Sequence, residues 1–190
     1  VLDYGASAPV RAKIAEQALT GIQGCRLVDD FARRAIGATF ADVMELLATA
    51  DFYKAVIPSG NMVSTAEEAS AFYQMLLDGG RWNGRQILRP ETIQRATMEV
   101  GPHVLDRSIG MPLRFSQGFM LGGAPLGLFG QRSQHAFGHI GLANNITWAD
   151  PERQISVALL VSGIPVLAGN YVALLKLIAR IGGACPRVEN

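Results

Sequence analysis

A chain of 190 residues, 49% of them hydrophobic, has enough apolar side chain to bury a packed core, which excludes intrinsic disorder. Its formal net charge of +1 supplies no broad field for nucleic acid or an anionic membrane, so a small neutral or mildly charged substrate suits it better. Cys25 and Cys185 lie far apart, match no metal-ligand spacing and read as structural thiols that leave the redox compartment, cytoplasm or cell envelope, undecided.

Residue 1 is Val, and no positively charged segment followed by an apolar one opens the chain, so the expectation is a sequence that starts mid-protein. Residues 1–57 read as part of a helical region, short of strands. Pro9 opens a helix through Leu19, with Gly21 and Gly24 ending it. Leu27 to Ile36 forms a second, stopped by Gly37, and Phe40 to Ala50 a third, with Thr39 as N-cap. No catalytic signature occurs in this region.

Residues 58–190 read as a second region of helices, three antiparallel strands and a terminal helix. Ser64-x-x-Glu67 and Thr65-x-x-Glu68 are overlapping capping boxes that start a helix. Phe72, Met75 and Leu76 form its buried stripe, and Asp78-Gly79-Gly80 ends it. Trp82-Asn83-Gly84-Arg85 is a hairpin-like turn, and Pro90 begins a helix from Glu91 to Val100 that Gly101-Pro102 closes.

Beyond Arg114 the periodicity turns to strands. Gly118 to Leu121 is one, Gly122 to Gly130 a glycine-rich loop without the lysine of a phosphate-binding loop, and Ala136 to Ala149 a strand interrupted at its glycines. Asp150-Pro151-Glu152-Arg153 makes a turn that folds Ile155 to Val161 back as an antiparallel partner, apolar enough to need cover on both faces. Leu167 to Ile181 supplies a covering helix, ended by Gly182-Gly183. The apolar stretch from Ile164 to Ile181 is broken by Gly169, Asn170, Lys176 and Arg180, too interrupted for a membrane span, so no obligate membrane attachment is expected.

Ala136-Phe137-Gly138-His139-Ile140-Gly141-Leu142 stands out, because glycines on either side of a strand histidine weaken the strand and mark a close approach by backbone or ligand. The triplet His139-Ile140-Gly141 resembles the third motif of the serine beta-lactamase, penicillin-binding and class C-type esterase superfamily, a Lys-Thr-Gly that many esterase members (the family VIII type) write as His-x-Gly. Pro58 to Ala66, Leu88 to Thr92, Gln117 to Met120 and Trp148 to Pro151 agree with that family in order and spacing, so the resemblance spans roughly residues 50 to 182.

This resemblance implies an α+β fold, the C-terminal part of a beta-lactamase-like domain with antiparallel strands packed against helices. It implies ester hydrolysis through an acyl-enzyme, without metal or organic cofactor. His139 takes the place of the motif's lysine, Gly141 leaves room for the acyl group, and the backbone N–H of Leu142 serves as an oxyanion donor. Ile140, Asn144 and Asn145 are the neighbouring candidates for substrate contact. The change from Lys-Thr-Gly to His-Ile-Gly favours an ester over a beta-lactam, because lysine plus hydroxyl suits a substrate carboxylate.

The nucleophile is missing. No serine stands three residues before Lys13, Lys54 or Lys176, no asparagine follows two residues after Tyr4, Tyr53, Tyr73 or Tyr171, and no Gly-x-Ser-x-Gly occurs. The expectation is therefore a catalytically silent portion of a longer enzyme, whose partners are a small ester and the preceding part of the same protein. An exposed sheet edge would also let copies self-associate. The alternatives are a non-catalytic relative kept for binding or structure, and a beta-lactamase or D-alanyl-D-alanine peptidase. Taken alone, His139 is more often a hydrogen-bonded structural histidine, Trp148 a hairpin filler, and His135 with His139 a poor metal pair in an extended segment.

Overall fold

The computed structural model describes residues 18–19, 26–47, 49–57, 60–106, 111–141, 144–164 and 170–188. Two compact units emerge, one of Val1–Ser64 with Ser162–Ala168 and one of Thr65–Val161 with Gly169–Asn190.

In the first unit, strand β1 (Ala18–Leu19) pairs in parallel with Gly163–Ile164, so these two residues are extended rather than the end of a helix. Their partner is too remote in sequence for local periodicity to reveal it. Positions 9–17 of the expected helix, and Cys25, lie outside the described residues. Helix α1 (Arg26–Ile36) stops at Gly37, which takes φ +77° and donates its N–H to the Arg33 carbonyl. Thr39 caps α2 (Phe40–Leu47). Its hydroxyl accepts from the Asp42 N–H while Asp42 accepts from the Thr39 N–H and hydroxyl, and these bonds hold the Asp42 carboxyl below its ordinary range. The expected third helix ends at Leu47, and a separate short helix that sequence periodicity did not anticipate follows it. Thr49 bonds back to the Leu46 carbonyl and caps α3 (Ala50–Lys54) by accepting from the Phe52 N–H.

The second unit opens with α4 (Ala66–Leu77), capped by the reciprocal Thr65–Glu68 box. Ala69, Tyr73, Met75 and Leu76 form its buried stripe. Phe72, expected there, is 47% exposed, because Ala69, Tyr73 and Leu76 already complete the inward-facing spacing. Gly80 ends the helix at φ +83° with its N–H on the Met75 carbonyl, and a Cβ there would lie 2.1 Å from the Leu88 carbonyl oxygen. Strands β2 (Arg81–Trp82) and β3 (Arg85–Gln86) form a hairpin with both Asn83 and Gly84 left-handed, the requirement of a type I′ turn. Helix α5 (Pro90–Thr97) is shorter than the expected Glu91 to Val100. Glu99 instead bridges Ser116, and the Val100 N–H binds the Phe115 carbonyl at 2.9 Å.

Among the described residues the central sheet has six strands, where periodicity alone points to three. They are β4 (Val104–Asp106), β5 (Met111–Phe115), β6 (Met120–Leu121), β9 (Phe137–Ile140), β10 (Ile146–Asp150) and β11 (Ile155–Leu159), antiparallel in the order β11-β10-β9-β6-β5-β4. The glycine-rich loop before β9 carries a small hairpin of β7 (Leu126–Gly127) and β8 (Gly130–Gln131). Side-chain alternation assigns the faces. Ile140, Ile146 and Trp148 pack with Ile178 of α6 (Asn170–Ala184), whereas Phe137 and Ala149 pack with Tyr73, Met75 and Leu76 of α4. Contrary to expectation, α6 continues through Gly182-Gly183. The Arg153 guanidinium donates to the Gly182 carbonyl at 3.2 Å and holds this last turn. Among the described residues no helix is long and apolar enough to cross a membrane.

Candidate functional site

The segment read as one interrupted strand is a hairpin. Gly141 donates its N–H to the Asn145 carbonyl at 2.7 Å, Asn144 donates to the Gly141 carbonyl at 3.0 Å, and Asn144 takes φ +58°. This turn puts His139 directly opposite Thr147 and Gly138 opposite Trp148.

His139 is exposed and shares its face of β9 with the buried Phe137. Directly paired residues on one face hold their Cβ atoms about 4.5–5.5 Å apart, so the imidazole and the Thr147 side chain are immediate neighbours. The Thr147 and Tyr73 hydroxyls are hydrogen-bonded at 3.0 Å. Tyr73 lies against Phe72, Phe119 and Phe137, with ring centroids 5.5, 6.1 and 6.4 Å away. Burial pushes its phenol up, with the Thr147 hydrogen bond opposing. The base of the site is thus an aromatic layer with a part-buried hydroxyl pair reaching the sheet beside His139. Neither Tyr73 nor Thr147 is conspicuous in the sequence. The alternation of β9 and β10 finds Thr147 once the hairpin register is known, but nothing local announces Tyr73.

The two glycines differ in their reasons. A Cβ on Gly138 would lie 2.1 Å from the Thr147 carbonyl oxygen and 2.6 Å from Trp148 Cα, so packing requires that glycine. Trp148 is buried and stacked on Phe129 with centroids 5.9 Å apart, a filler of the core. At Gly141 a Cβ would meet only the Asn145 carbonyl oxygen at 3.5 Å, an ordinary contact, and its φ lies outside the left-handed region. Neither the turn nor the packing of the described residues asks for glycine there.

Ile140 points away from His139 into the core; any approach of a ligand to it runs along the backbone. The Asn145 carboxamide oxygen accepts the Val161 N–H at 2.7 Å and ties the turn to the end of β11, so this side chain serves the fold. Asn144 is half-buried in the turn, and Leu142 lies outside the described residues. Thus His139, Gly141 and Asn144 come together at one end of the β9–β10 hairpin.

At the opposite end an open cleft of about 480 Å³ is lined by Glu99, Arg114, Gln134, His135, Phe137 and Pro151 among others. Its charges are already satisfied. Arg114 forks onto both Glu99 oxygens at 2.9 and 2.7 Å and donates to the Gly122 and Gln134 carbonyls, and these bonds hold the Glu99 carboxyl below its ordinary range. Among the described residues no three His, Cys, Asp or Glu side chains gather as a metal site.

The family model described as Beta-lactamase matches residues 9–170. The esterase/beta-lactamase LipL of Mycobacterium tuberculosis is 33% identical over 105 residues, which cover 55% of this chain and 23% of that protein. The structure of EstA from Arthrobacter nitroguajacolicus superposes with TM-score 0.65 at 21% identity, over 94% of this chain and 50% of that one. A penicillin-binding protein homologue from Caulobacter crescentus gives TM-score 0.54 at 24% identity, over 64% of this chain and 32% of its own. The chain therefore spans half or less of the length of each of these relatives. Its matched extent and its antiparallel sheet between helices lead to one assignment: the chain belongs to the Beta-lactamase family.

Proposed function

We propose that this chain forms the substrate-facing strand of a serine hydrolase that cleaves carboxylic esters through an acyl-enzyme. In this reading the nucleophilic serine, its lysine and the assisting tyrosine belong to the rest of the same protein, and the chain alone is inactive. His139 contacts the substrate or the assisting tyrosine, and the N–H after Gly141 stabilises the oxyanion as charge develops in the tetrahedral state. The observation that carries the reading is Gly141. It is a glycine that the described fold does not require, beside an exposed histidine, and so its missing side chain leaves space for a reacting acyl group.

The relative named esterase/beta-lactamase keeps both substrate classes in view. A histidine in place of the motif's lysine offers less to a substrate carboxylate, which favours the ester. The test is a full-length protein containing this chain, assayed with a short-chain nitrophenyl ester and with nitrocefin. Ester turnover that exceeds nitrocefin turnover and falls in His139→Ala supports the proposal. Nitrocefin turnover matching the ester rate overturns the ester preference, and no turnover of either identifies a non-catalytic relative.

A further inference from the structure

The whole-chain charge of +1 averages over an uneven sequence. Between Gly79 and Pro90 stand Arg81, Arg85 and Arg89 and no carboxylate. Asp78 and Glu91 lie just outside, and the Asp78 carboxylate accepts from the Gln74 carboxamide at 3.0 Å. Among the described residues none of these three guanidinium groups is held in an ion pair. Every residue from Arg81 to Ile87 is exposed, and a Cβ on Gly79 or Gly84 would meet nothing within 4 Å, so the β2–β3 hairpin projects into open space. Its shape is fixed by the left-handed Asn83 and Gly84 at the tip and by the Gln86 carboxamide, which donates to the Gly79 and Leu88 carbonyls at the base.

The register sorts the side chains. Trp82 is paired with Arg85, and the Ile87 N–H on the Gly80 carbonyl carries the ladder one step further, so Trp82, Arg85 and Ile87 share a face. Trp82 is 45% exposed and Ile87 53%. An indole and an isoleucine among arginines suit the boundary where hydrocarbon meets phosphate, because the apolar groups leave water while the guanidinium heads stay at the polar level. A nucleic acid would use the charges and leave Ile87 in water.

We propose that the β2–β3 hairpin is a peripheral docking site for an anionic lipid surface. Trp82 and Ile87 enter the interface, and Arg81, Arg85 and Arg89 bind the headgroup phosphates. Two small apolar side chains and three charges give reversible, salt-sensitive attachment. The inference is independent of ester hydrolysis, since no hairpin residue belongs to the His139 site.

The test is co-sedimentation of a full-length protein containing this chain with phosphatidylcholine vesicles, with and without phosphatidylserine. Wild type should bind the anionic vesicles, bind the neutral ones more weakly, and lose the difference as salt is added. Replacing Arg81, Arg85 and Arg89 together by Gln should lower binding to anionic vesicles about 10²-fold, at about five-fold per arginine, and replacing them by Lys should largely restore it. Trp82→Ala should lower it about 10-fold. All variants should keep the wild-type urea midpoint and the wild-type rate on a soluble ester, because the replaced side chains are exposed and outside both core clusters. Absence of wild-type binding to anionic vesicles overturns the proposal, as does undiminished binding by the triple Gln variant. Binding that needs the arginines but is unchanged in Trp82→Ala also overturns it, since it would mark a charged partner with no apolar interior. Vesicle binding by a protein that turns over no ester would remove the proposed function and leave the docking site standing.

Discussion

Replacing Arg153 by Met tests how the second unit is held together. Asp150 is 1% exposed and Arg153 8% exposed by side chain, and they meet at 2.7 Å. The other Asp150 oxygen accepts the N–H groups of Glu152 and Arg153 and fixes the β10–β11 turn. The guanidinium donates further to the carbonyls of Gly182, Arg132 and Gln131, joining that turn to the end of α6 and to the end of β8 and the residue after it. Methionine fills much of the volume but leaves a buried carboxylate without its cation and three carbonyls without their donor. Breaking a buried pair from one side costs about 3–5 kcal/mol, a large share of the 5–15 kcal/mol of a typical domain. For a chain of this size the loss corresponds to a fall in Tm of roughly 6–20 °C. Arg153→Lys keeps the charge without the fork and should lie between wild type and Met. Urea titration followed by circular dichroism is the assay. A cost below about 0.5 kcal/mol, the scale of an ordinary surface substitution, with unchanged m-value would refute this reasoning. So would a double replacement of Asp150 and Arg153 by apolar residues that is as damaging as the sum of the two single changes.

The glycines provide a paired prediction. Gly138→Ala forces atoms into the Thr147 carbonyl and should cost about 1–3 kcal/mol by overpacking. Gly141→Ala should change urea stability by less than about 0.5 kcal/mol while lowering ester turnover of the full-length protein. Thr65→Ala removes half of the α4 capping box and should cost about 1 kcal/mol in the same titration. Glu99 governs an acid response. Its folded-state carboxyl is depressed, foremost by the hydrogen bonds from Arg114, so its contribution is present above the unfolded value, about 4.3, and is lost as pH falls through the lower folded value. Glu99→Gln should flatten the stability profile below about pH 4.3. Added salt should shrink the wild-type slope there, because the pair is only partly buried.

Where chemistry is local, the sequence was readable. The Thr65-x-x-Glu68 box, the left-handed Asn83-Gly84 turn and the Asp150-Pro151 turn all occur as their residue types require. Misreadings cluster where distant partners decide. Ala18–Leu19 is extended only because Gly163–Ile164 lies beside it, and Glu99 and Val100 leave α5 because Ser116 and Phe115 take their backbone bonds. The glycines at 182 and 183 remain helical under the Arg153 guanidinium, a contact that no helix-stop rule contains. The same limit applied to the site. His139 and Gly141 announced themselves by pattern, whereas Tyr73 reaches Thr147 from a helix 74 residues earlier and is invisible to any local motif.

The central claim is that the β9 strand end is the working wall of an ester-cleaving site, and His139→Ala in the full-length protein addresses it most directly. With a short-chain nitrophenyl ester, the variant should keep its urea midpoint, since His139 is exposed and outside both core clusters. Its kcat/KM should fall by about 10²-fold or more, the scale of a lost proton-transfer or charge-stabilising group. An unchanged midpoint together with unchanged kcat/KM would remove His139 from the mechanism and contradict the account.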